Sequence, residues 1–250
     1  MTLAPGATIG ILGGGQLGRM LAHAAQRLGL SAHVFATAPD EPALAVTACA
    51  TCAAFDDEAA LDAFARAVDV VTLEFENVPT TALARIAAAT PVRPGPGVLA
   101  VTQDRLAEKR LARELGLATA PFAAVTAVGE AEGEVPFPAR LKTRRLGYDG
   151  KGQQRVEAPG ALAAAMDALG RVPAILEGEV AFARELSILI ARTPSGAVET
   201  FPLAENRHEG GILVETTAPA EAAPATARRA REIAVALAEA LALEGLLAVE

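Results

Sequence analysis

The sequence predicts an α/β protein in which a doubly wound parallel sheet is followed by a mixed α+β domain. Strand and helix signals alternate through the first hundred residues, and alternating units of this kind imply parallel strands with helices on both faces. The segment RPGPG at 93–97 interrupts the alternation, and hairpins and isolated helices follow it. We therefore expect one domain at 1–97 and a second at 98–250.

The first domain begins with an apolar strand at 7–12, which runs through glycines into a helix at 16–29. The apolar residues of that helix recur at helical spacing, and we expect one side of it to contain Leu17, Met20, Leu21, Ala24, Ala25 and Leu28. The remaining apolar runs predict strands at 31–36, 52–55 and 69–75 and helices at 56–67 and 79–89.

The second domain begins with a strong helical pattern at 101–116, and a mixed stretch follows. The run at 138–144 reads as a strand that enters a glycine-rich loop, with a return strand at 152–157. Beyond this hairpin the pattern predicts a helix at 159–170, strands at 174–180 and 183–192, strands and loops at 197–219, a long helix at 220–243 and a last strand at 245–250.

Composition and charge exclude several classes of protein. The chain carries a net charge of −8 and contains no Trp and one Tyr, so nucleic acid is not an expected partner. No apolar run is long enough to cross a membrane, and the glycine-rich N-terminus has no basic segment of a secretory signal. Cys49 and Cys52 make no disulfide framework, and their small apolar surroundings predict buried structural cysteines. We expect a cytoplasmic protein.

The basic residues are unevenly used and unevenly placed. Nineteen of the 22 are Arg, and the three lysines, Lys109, Lys142 and Lys151, fall in one part of the chain. Residues 140–155 hold six bases and one acid in an otherwise acidic protein. This basic island indicates a local anion, such as a phosphorylated small molecule.

Gly13, Gly15 and Gly18 form a G-x-G-x-x-G turn between a strand and a helix, a context in which phosphate groups bind. A dinucleotide site also wants an acid at the end of the second strand, which here ends in Ala36-Thr37. The turn therefore indicates either close helix packing or an anion site that is not for NAD.

Acidic residues follow several predicted strands. Glu74 and Glu76 come at the end of the strand at 69–75, where ligands bind in doubly wound sheets. Glu177, Glu185 and Glu250 lie on or beside later strands, a distribution that suits Mg²⁺ and ribose hydroxyls.

The segment 142–153, KTRRLGYDGKGQ, combines two lysines with three glycines. Gly147, Gly150 and Gly152 leave backbone amides that can face phosphate oxygens, and Lys142 and Lys151 bring ammonium groups to the same place. The spacing is not that of a P-loop. A hairpin tip explains the glycines but not the lysines, so the segment predicts a phosphate site.

Four motifs in order, GGGQLGRM, EFENVP, KTRR-x-GYDGKGQ and NRHEGGIL, resemble those of the 5-(carboxyamino)imidazole ribonucleotide synthases. These are ATP-grasp ligases of purine synthesis, and the resemblance runs from about Thr8 to Glu250. It implies a Rossmann-like pre-ATP-grasp domain, an ATP-grasp domain with a lid at about 118–178, and a homodimer. The implied reaction joins bicarbonate to 5-aminoimidazole ribonucleotide through carboxyphosphate, with ATP and Mg²⁺ (or Mn²⁺).

The resemblance also implies roles for individual residues. The ATP site would consist of Arg105, Lys142, Gly147, Tyr148, Asp149, Gly150, Lys151, Gly152, Gln153, Glu177, Gly178, Glu179, Val180, Glu185 and His208. The catalytic residues would be Lys142, Tyr148, Asp149 and Lys151. The ribonucleotide site would consist of Gln16, Leu17, Glu74 and Glu76, together with the last three of those catalytic residues. Glu250 would be the first metal carboxylate.

The sequence departs from the family pattern in two ways. Leu146 stands where the family usually has another glycine, and the Asn-Glu pair, basic residues and small domain that the family has after Glu250 are not in this sequence. We therefore expect an ATP-grasp domain that is incomplete at its C-terminus and a 250-residue chain that does not turn over. The alternatives are a sister ATP-grasp enzyme such as formate-dependent glycinamide ribonucleotide transformylase, an NAD-dependent oxidoreductase, or a non-catalytic nucleotide-binding remnant.

Overall fold

The structure is a computed structural model that describes residues 3–126, 130–131, 133–147 and 150–250. The chain forms two compact units. The first consists of Met1–Ala100, Arg192–Ala197 and Ala242–Leu246. The second consists of Val101–Ala191, Val198–Leu241 and Leu247–Glu250.

The first unit contains a four-stranded parallel sheet in the order β3-β2-β1-β4. Its strands are β1 (Thr8–Leu12), β2 (Ser31–Ala36), β3 (Cys49–Cys52) and β4 (Val70–Leu73). The helices are α1 (Gln16–Arg27), α2 (Glu58–Arg66), α3 (Thr80–Ala87) and α4 (Pro96–Thr102), and a 3₁₀ turn occupies Pro42–Val46. The expected doubly wound parallel sheet is confirmed.

Both faces of this sheet are covered, because successive residues of a strand point to opposite sides. Phe35 packs in one cluster with Phe64 of α2 and Leu83 of α3. Val34, the preceding residue of β2, packs on the other face with Ala22 of α1. The sheet therefore has its helices on two sides, and the carboxyl ends of the strands lie together at one edge.

The predicted apolar side of α1 is wrong. The helix buries Gly18, Ala22 and Ala25, whereas Leu17, Met20 and Leu28 are exposed. The cause is the glycine turn, because a Cβ atom at Gly18 would lie 2.5 Å from the carbonyl oxygen of Gly13. This close approach turns the small residues of the helix toward the sheet and the large ones outward.

The third strand and the two cysteines also differ from expectation. The strand is Cys49–Cys52 and not 52–55, and it pairs with β2 from His33 and Cys49 onward. Both cysteines are free thiols and exposed, so the prediction that they are buried is wrong. The reason is their place on the edge strand of the sheet, with a neighbouring strand on one side only.

The second unit is α+β, as predicted, and contains two further sheets. Its helices are α5 (Arg105–Glu114), α6 (Leu162–Ala168) and α7 (Pro224–Ala240). An antiparallel sheet in the order β5-β8-β6-β7 contains β5 (Phe122–Val125), β6 (Ala139–Thr143), β7 (Gln153–Val156) and β8 (Ala174–Gly178). The other sheet has the order β10-β9-β11-β12 with β13 on β9, and contains β9 (Glu185–Arg192), β10 (Val198–Thr200), β11 (Ala204–Glu209), β12 (Ile212–Thr217) and β13 (Gly245–Val249).

The helix predicted at 101–116 is interrupted. α4 ends at Thr102, and α5 begins at Arg105 after Asp104. The Asp104 carboxylate accepts hydrogen bonds from the backbone amides of Leu106 and Ala107, so it is the N-cap of a new helix. Strand β5 was not predicted, because its four residues lie in a stretch without a clear pattern.

Candidate active site

A cleft of about 1170 Å³ lies in the second unit, and both of that unit's sheets contribute to its walls. Its lining includes most of the residues that the resemblance assigned to nucleotide, namely Arg105, Lys142, Gly150, Lys151, Gly152, Gln153, Glu177, Gly178, Glu179, Val180, Glu185 and His208. Glu250 also lines it. Tyr148 and Asp149 lie outside the described residues.

A buried carboxylate with basic partners lies in the cleft. Glu177 of β8 is 6% exposed, and its Oε2 atom accepts a hydrogen bond of 2.7 Å from the Lys142 ammonium on the neighbouring strand β6. Lys109 of α5 lies 3.6 Å from the other carboxylate oxygen. Burial raises the pKa of Glu177, but the charges of Lys142, Lys109 and Arg105 outweigh that effect and hold the pKa below its usual range.

The three lysines that the sequence groups together lie in the cleft or next to it. Lys142 and Lys151 both line the cleft, and Lys109 contacts a residue that lines it. Arg105 and Arg140 line the cleft as well, so four basic side chains line it together with the carboxylates of Glu177, Glu179, Glu185 and Glu250. An anion that lies beside Arg105, Lys142 and Lys151 is attracted by their charges, and a partly buried environment screens that attraction less than water does.

The N-terminus of α5 connects to the base of the glycine-rich loop. Asp104 is buried and accepts a 2.9 Å hydrogen bond from Nε of Arg144, with a second bond from the same guanidinium. Burial raises the pKa of Asp104, but the hydrogen bonds and charge of Arg144 and the helix amides lower it below the usual range. Arg105 donates to the carbonyl oxygen of Gly147 at 2.9 Å. These contacts fix the start of the loop against the helix.

The described part of the loop needs its glycines. Gly150 and Gly152 have φ values of +73° and +70°, and the amide of Thr143 donates to the carbonyl oxygen of Gly152. Leu146, which replaces a glycine of the family pattern, also has a positive φ of 65°. A side chain at such an angle costs about 1–2 kcal/mol, which explains why glycine is usual there.

The loop touches the turn between β11 and β12. A Cβ atom at Gly211 would lie 2.9 Å from Cα of Gly150, so only two glycines can approach each other this closely. Gly210 is in the same turn, and a Cβ atom there would meet nothing within 4 Å. The glycine-rich loop and this turn therefore meet at the cleft, backbone against backbone.

Two further polar residues of the cleft form a pair. Nδ1 of His208 lies 2.8 Å from Oε2 of Glu185, which is on the adjacent strand β9. The register of β11 and β12 shifts between Arg207 and His208, and a bulge of this kind re-aims a side chain. The bulge places the imidazole beside the carboxylate.

The segment at the end of β8 has part of its backbone already in use. The amide of Gly178 donates to the carbonyl oxygen of Pro121, and the amide of Glu179 donates to that of Pro138. The Glu179 side chain is held by Arg155 and Arg140. A ligand that forms hydrogen bonds with the backbone of this segment can therefore use neither of these two amides, but it can use the amide of Val180.

The glycine turn of the first unit is occupied by the protein's own carboxylates. The amide of Gly15 donates to Oε2 of Glu74 at 2.6 Å, and the amide of Gly14 donates to Oε2 of Glu41 at 2.8 Å. Gln16 and Leu17 begin α1 beside the turn and are exposed, as is Glu76. The structure therefore brings the Glu74 carboxylate to the glycine turn, whereas Glu76 is exposed.

Three residues of these sites were missed by sequence reasoning. Lys109 stands out in the sequence only as one of three lysines, Asp104 lies inside a predicted helix, and no sequence pattern marks Glu41. The Asp104 cap had a local signal, an acid next to the start of a helical pattern. Glu41 had none, because its partner Gly14 is 27 residues away.

The carboxylates of the cleft decide whether a metal ion can be held there. Within the part of the chain that the structure describes, no group of three or more His, Cys, Asp or Glu side chains could hold an ion. Glu250 lines the cleft, so it fits as a single carboxylate for Mg²⁺, which usually binds one or two carboxylates together with substrate phosphates.

Family comparisons agree with this arrangement. The ribonucleotide synthetase pre-ATP-grasp model matches residues 6–103, and the ATP-grasp model matches residues 110–250. An N5-carboxyaminoimidazole ribonucleotide synthase of Brucella melitensis is 45% identical over the whole chain. The chain belongs to the N5-carboxyaminoimidazole ribonucleotide synthase family. Members of this family are ATP-grasp ligases that carry out an ATP-dependent step of purine biosynthesis.

Solved structures of N5-carboxyaminoimidazole ribonucleotide synthases are similar over nearly the whole chain. One with ADP superimposes with a TM-score of 0.92 at 37% identity over 100% of this chain. One from Aspergillus clavatus, with ADP and 5-aminoimidazole ribonucleotide, has a TM-score of 0.86 at 27% identity over 98% of this chain. This chain spans 70% of the Brucella protein, 67% of the first structure and 65% of the second.

The comparisons also bear on the alternatives from the sequence. An oxidoreductase with NAD is not supported, since the family is a ligase family and the glycine turn holds carboxylates where a pyrophosphate would bind. Among the described residues no helix is long and apolar enough to cross a membrane.

Proposed function

We propose that this chain binds MgATP in the cleft of the second unit and uses it to carboxylate 5-aminoimidazole ribonucleotide with bicarbonate. The observation that supports this most directly is the Glu177–Lys142 pair in a cleft that Arg105 and Lys151 also line. This arrangement gives a triphosphate several positive charges while one buried carboxylate fixes the orientation of the Lys142 ammonium. Family membership supplies the reaction.

The first chemical step phosphorylates bicarbonate. An oxygen atom of bicarbonate attacks the γ-phosphorus of ATP, the bond to the β-phosphate oxygen breaks, and ADP leaves as carboxyphosphate forms. Negative charge moves onto the β-phosphate during this transfer, so Arg105 and Lys142 stabilise it by charge. Mg²⁺ on the phosphates, held in part by Glu250, would share that work.

The second step transfers the carboxyl group. The exocyclic amine of the ribonucleotide attacks the carboxyl carbon, inorganic phosphate leaves, and the amine loses a proton. Carboxyphosphate hydrolyses easily in water, so the site must be closed during its lifetime. The loop at 147–153, with Gly150 against Gly211, is the segment that we assign to this closure.

The remaining assignments follow the same family pattern. Adenine would be recognised by backbone groups at the end of β8, with the amide of Val180 as a donor, and the ribose hydroxyls by Glu185, which His208 orients. Tyr148, Asp149 and Lys151 are assigned to catalysis. The ribonucleotide would bind at Gln16, Leu17, Glu74 and Glu76. We also keep as proposals the domains 1–97 and 98–250, a homodimer and a cytoplasmic location.

A coupled assay of ADP release tests this function. The assay uses a protein of the family's full length that contains this chain, which spans 70% of its Brucella relative. We expect release from MgATP only when bicarbonate and 5-aminoimidazole ribonucleotide are both present, and Lys142→Met is expected to lower it at least about 100-fold. Arg110→Met removes the same charge from an exposed position of α5 and serves as the control. Release that depends on glycinamide ribonucleotide and formate instead would assign the chain to the sister enzyme and contradict the proposal.

A further inference from the structure

The glycine turn between β1 and α1 has two backbone amides that point at carboxylates of the same chain. Gly14 donates to Glu41 at 2.8 Å, and Gly15 donates to Glu74 at 2.6 Å. In dinucleotide-binding proteins the corresponding amides face a pyrophosphate. Here each amide already has an anionic partner.

The Glu41 carboxylate is saturated with hydrogen bonds. Besides the amide of Gly14, it accepts from the amide of Thr37 at 2.7 Å, from the hydroxyl of Thr37 at 2.9 Å and from the amide of Ala38 at 2.8 Å. Burial raises the pKa of Glu41, but the hydrogen bonds from Ala38, Thr37 and Gly14 outweigh it, and the pKa lies below its usual range. One carboxylate thus ties the end of β2 to the glycine turn.

The space around Gly14 is filled as well. A Cβ atom at that position would lie 2.6 Å from Oε2 of Glu41 and 2.8 Å from Cβ of Ala36. The glycine is therefore required by the carboxylate, and no volume remains for a phosphate group at the turn. A phosphate would have to displace Glu41 and would meet the negative charge of Glu74 beside it.

We propose that Glu41 is a positioning and specificity residue of the first unit, because its carboxylate is the built-in anion of the glycine turn. It closes the turn to the phosphate groups of nucleotides and dinucleotides. It also holds the amide of Gly14, and the next amide along the chain, that of Gly15, orients Glu74. The turn then presents hydrogen-bond acceptors to the ribonucleotide, so the amino or hydroxyl groups of the ribonucleotide, and not its phosphate, face the turn. This statement about the ribonucleotide rests on the proposed function.

The first test is chemical rescue of stability. Glu41→Ala is expected to lower the Tm by roughly 4–8 °C, and about 100 mM acetate is expected to recover about half of that loss, because the four donors then bind an external carboxylate. Asp40→Ala removes the same charge from the exposed neighbouring residue and is the control, with sodium chloride at matched ionic strength. Equal stabilisation of all three proteins by acetate, or an unchanged Tm in Glu41→Ala, would overturn the proposal.

The second test separates positioning from stability and covers a variant that fails to fold. Glu41→Gln keeps the side-chain volume, but the new side-chain NH₂ group faces N–H donors that the carboxylate had accepted from. The KM for 5-aminoimidazole ribonucleotide should therefore rise about tenfold. The KM for ATP should stay within about twofold of that of the wild type, since no ATP group is assigned to this turn. An unchanged ribonucleotide KM, or equal increases in both KM values, would overturn the proposal. If the wild type showed no ribonucleotide-dependent activity, the proposed function alone would be contradicted. Acetate rescue of Glu41→Ala would still test the role of Glu41, since that measurement does not depend on activity.

Discussion

Replacing Lys142 by Met should destabilise the second unit, because Glu177 loses its closest counter-ion. At 2.7 Å and an effective dielectric constant of about 20, the gross attraction of this pair is roughly 6 kcal/mol. The loss should be smaller, since Lys109 remains at 3.6 Å and the ammonium no longer has to be desolvated. Breaking one side of a buried pair typically costs about 3–5 kcal/mol, and we expect the lower end, about 3 kcal/mol.

The pH dependence gives this prediction a sign. The pKa of Glu177 is lowered in the folded wild type, so its ion pair stabilises the fold above the ordinary pKa of a glutamate and is lost as the pH falls through the folded pKa. Without Lys142, fewer positive charges offset the burial of Glu177, so the pKa of Glu177 rises. The stability difference between wild type and Lys142→Met should therefore be largest at neutral pH and shrink as the pH falls from the raised pKa of the variant toward the lowered pKa of the wild type.

Urea unfolding followed by circular dichroism at pH 7.5 and pH 4 measures this difference. The double variant Lys142→Met, Glu177→Gln is the matched control, because it removes the uncompensated charge and should recover at least about half of the lost stability. A Lys142→Met protein within about 0.5 kcal/mol of wild type at pH 7.5, or a double variant no more stable than the single one, would refute the reasoning.

Three further predictions concern single residues. Gly211→Ala should speed ADP dissociation several-fold in stopped-flow experiments, because the new Cβ atom would press on Gly150. Gly210→Ala is the control and should not change the rate of dissociation; equal rates in the two variants would contradict the contact between loop and turn. Asp104→Asn should cost about 2 kcal/mol at pH 7 because the ion pair with Arg144 is lost, whereas the asparagine side chain can still cap α5. This cost should shrink as the pH falls through the lowered pKa of Asp104 in the folded protein, where the wild-type carboxylate loses its charge; a pH-independent difference in urea midpoints would contradict this. Leu146→Gly should raise the Tm by about 1–3 °C, because it relieves a positive φ; a fall in Tm would show that the leucine packs usefully.

The sequence predicted well those features that depend on local patterns. Alternating apolar strands and helices led to the parallel sheet, and the hairpin of β6 and β7 followed from a strand, a glycine loop and a return strand. The clustering of the lysines indicated an anion site, and the structure brings Lys142 and Lys151 to one cleft. These signals are readable because each is contained in a few neighbouring residues.

Errors arose where distant parts of the chain decide the outcome. The face of α1 depends on the contact between Gly18 and Gly13, which overrides the spacing of the large apolar residues. Exposure of Cys49 depends on the strand order, because only the topology makes β3 an edge. Glu41 acquired its partners through the return of the chain after β2, and no local pattern marks that geometry.

The central claim is that phosphate from ATP activates bicarbonate in this protein. Incubation of the family-length protein that contains this chain with ¹⁸O-labelled bicarbonate, MgATP and 5-aminoimidazole ribonucleotide, followed by mass spectrometry of the inorganic phosphate, tests it directly. The account predicts one labelled oxygen in each phosphate released, because a bicarbonate oxygen becomes the bridge of carboxyphosphate and stays with phosphorus when the amine attacks carbon. Release of phosphate without label, with water as the source of its new oxygen, would contradict the claim.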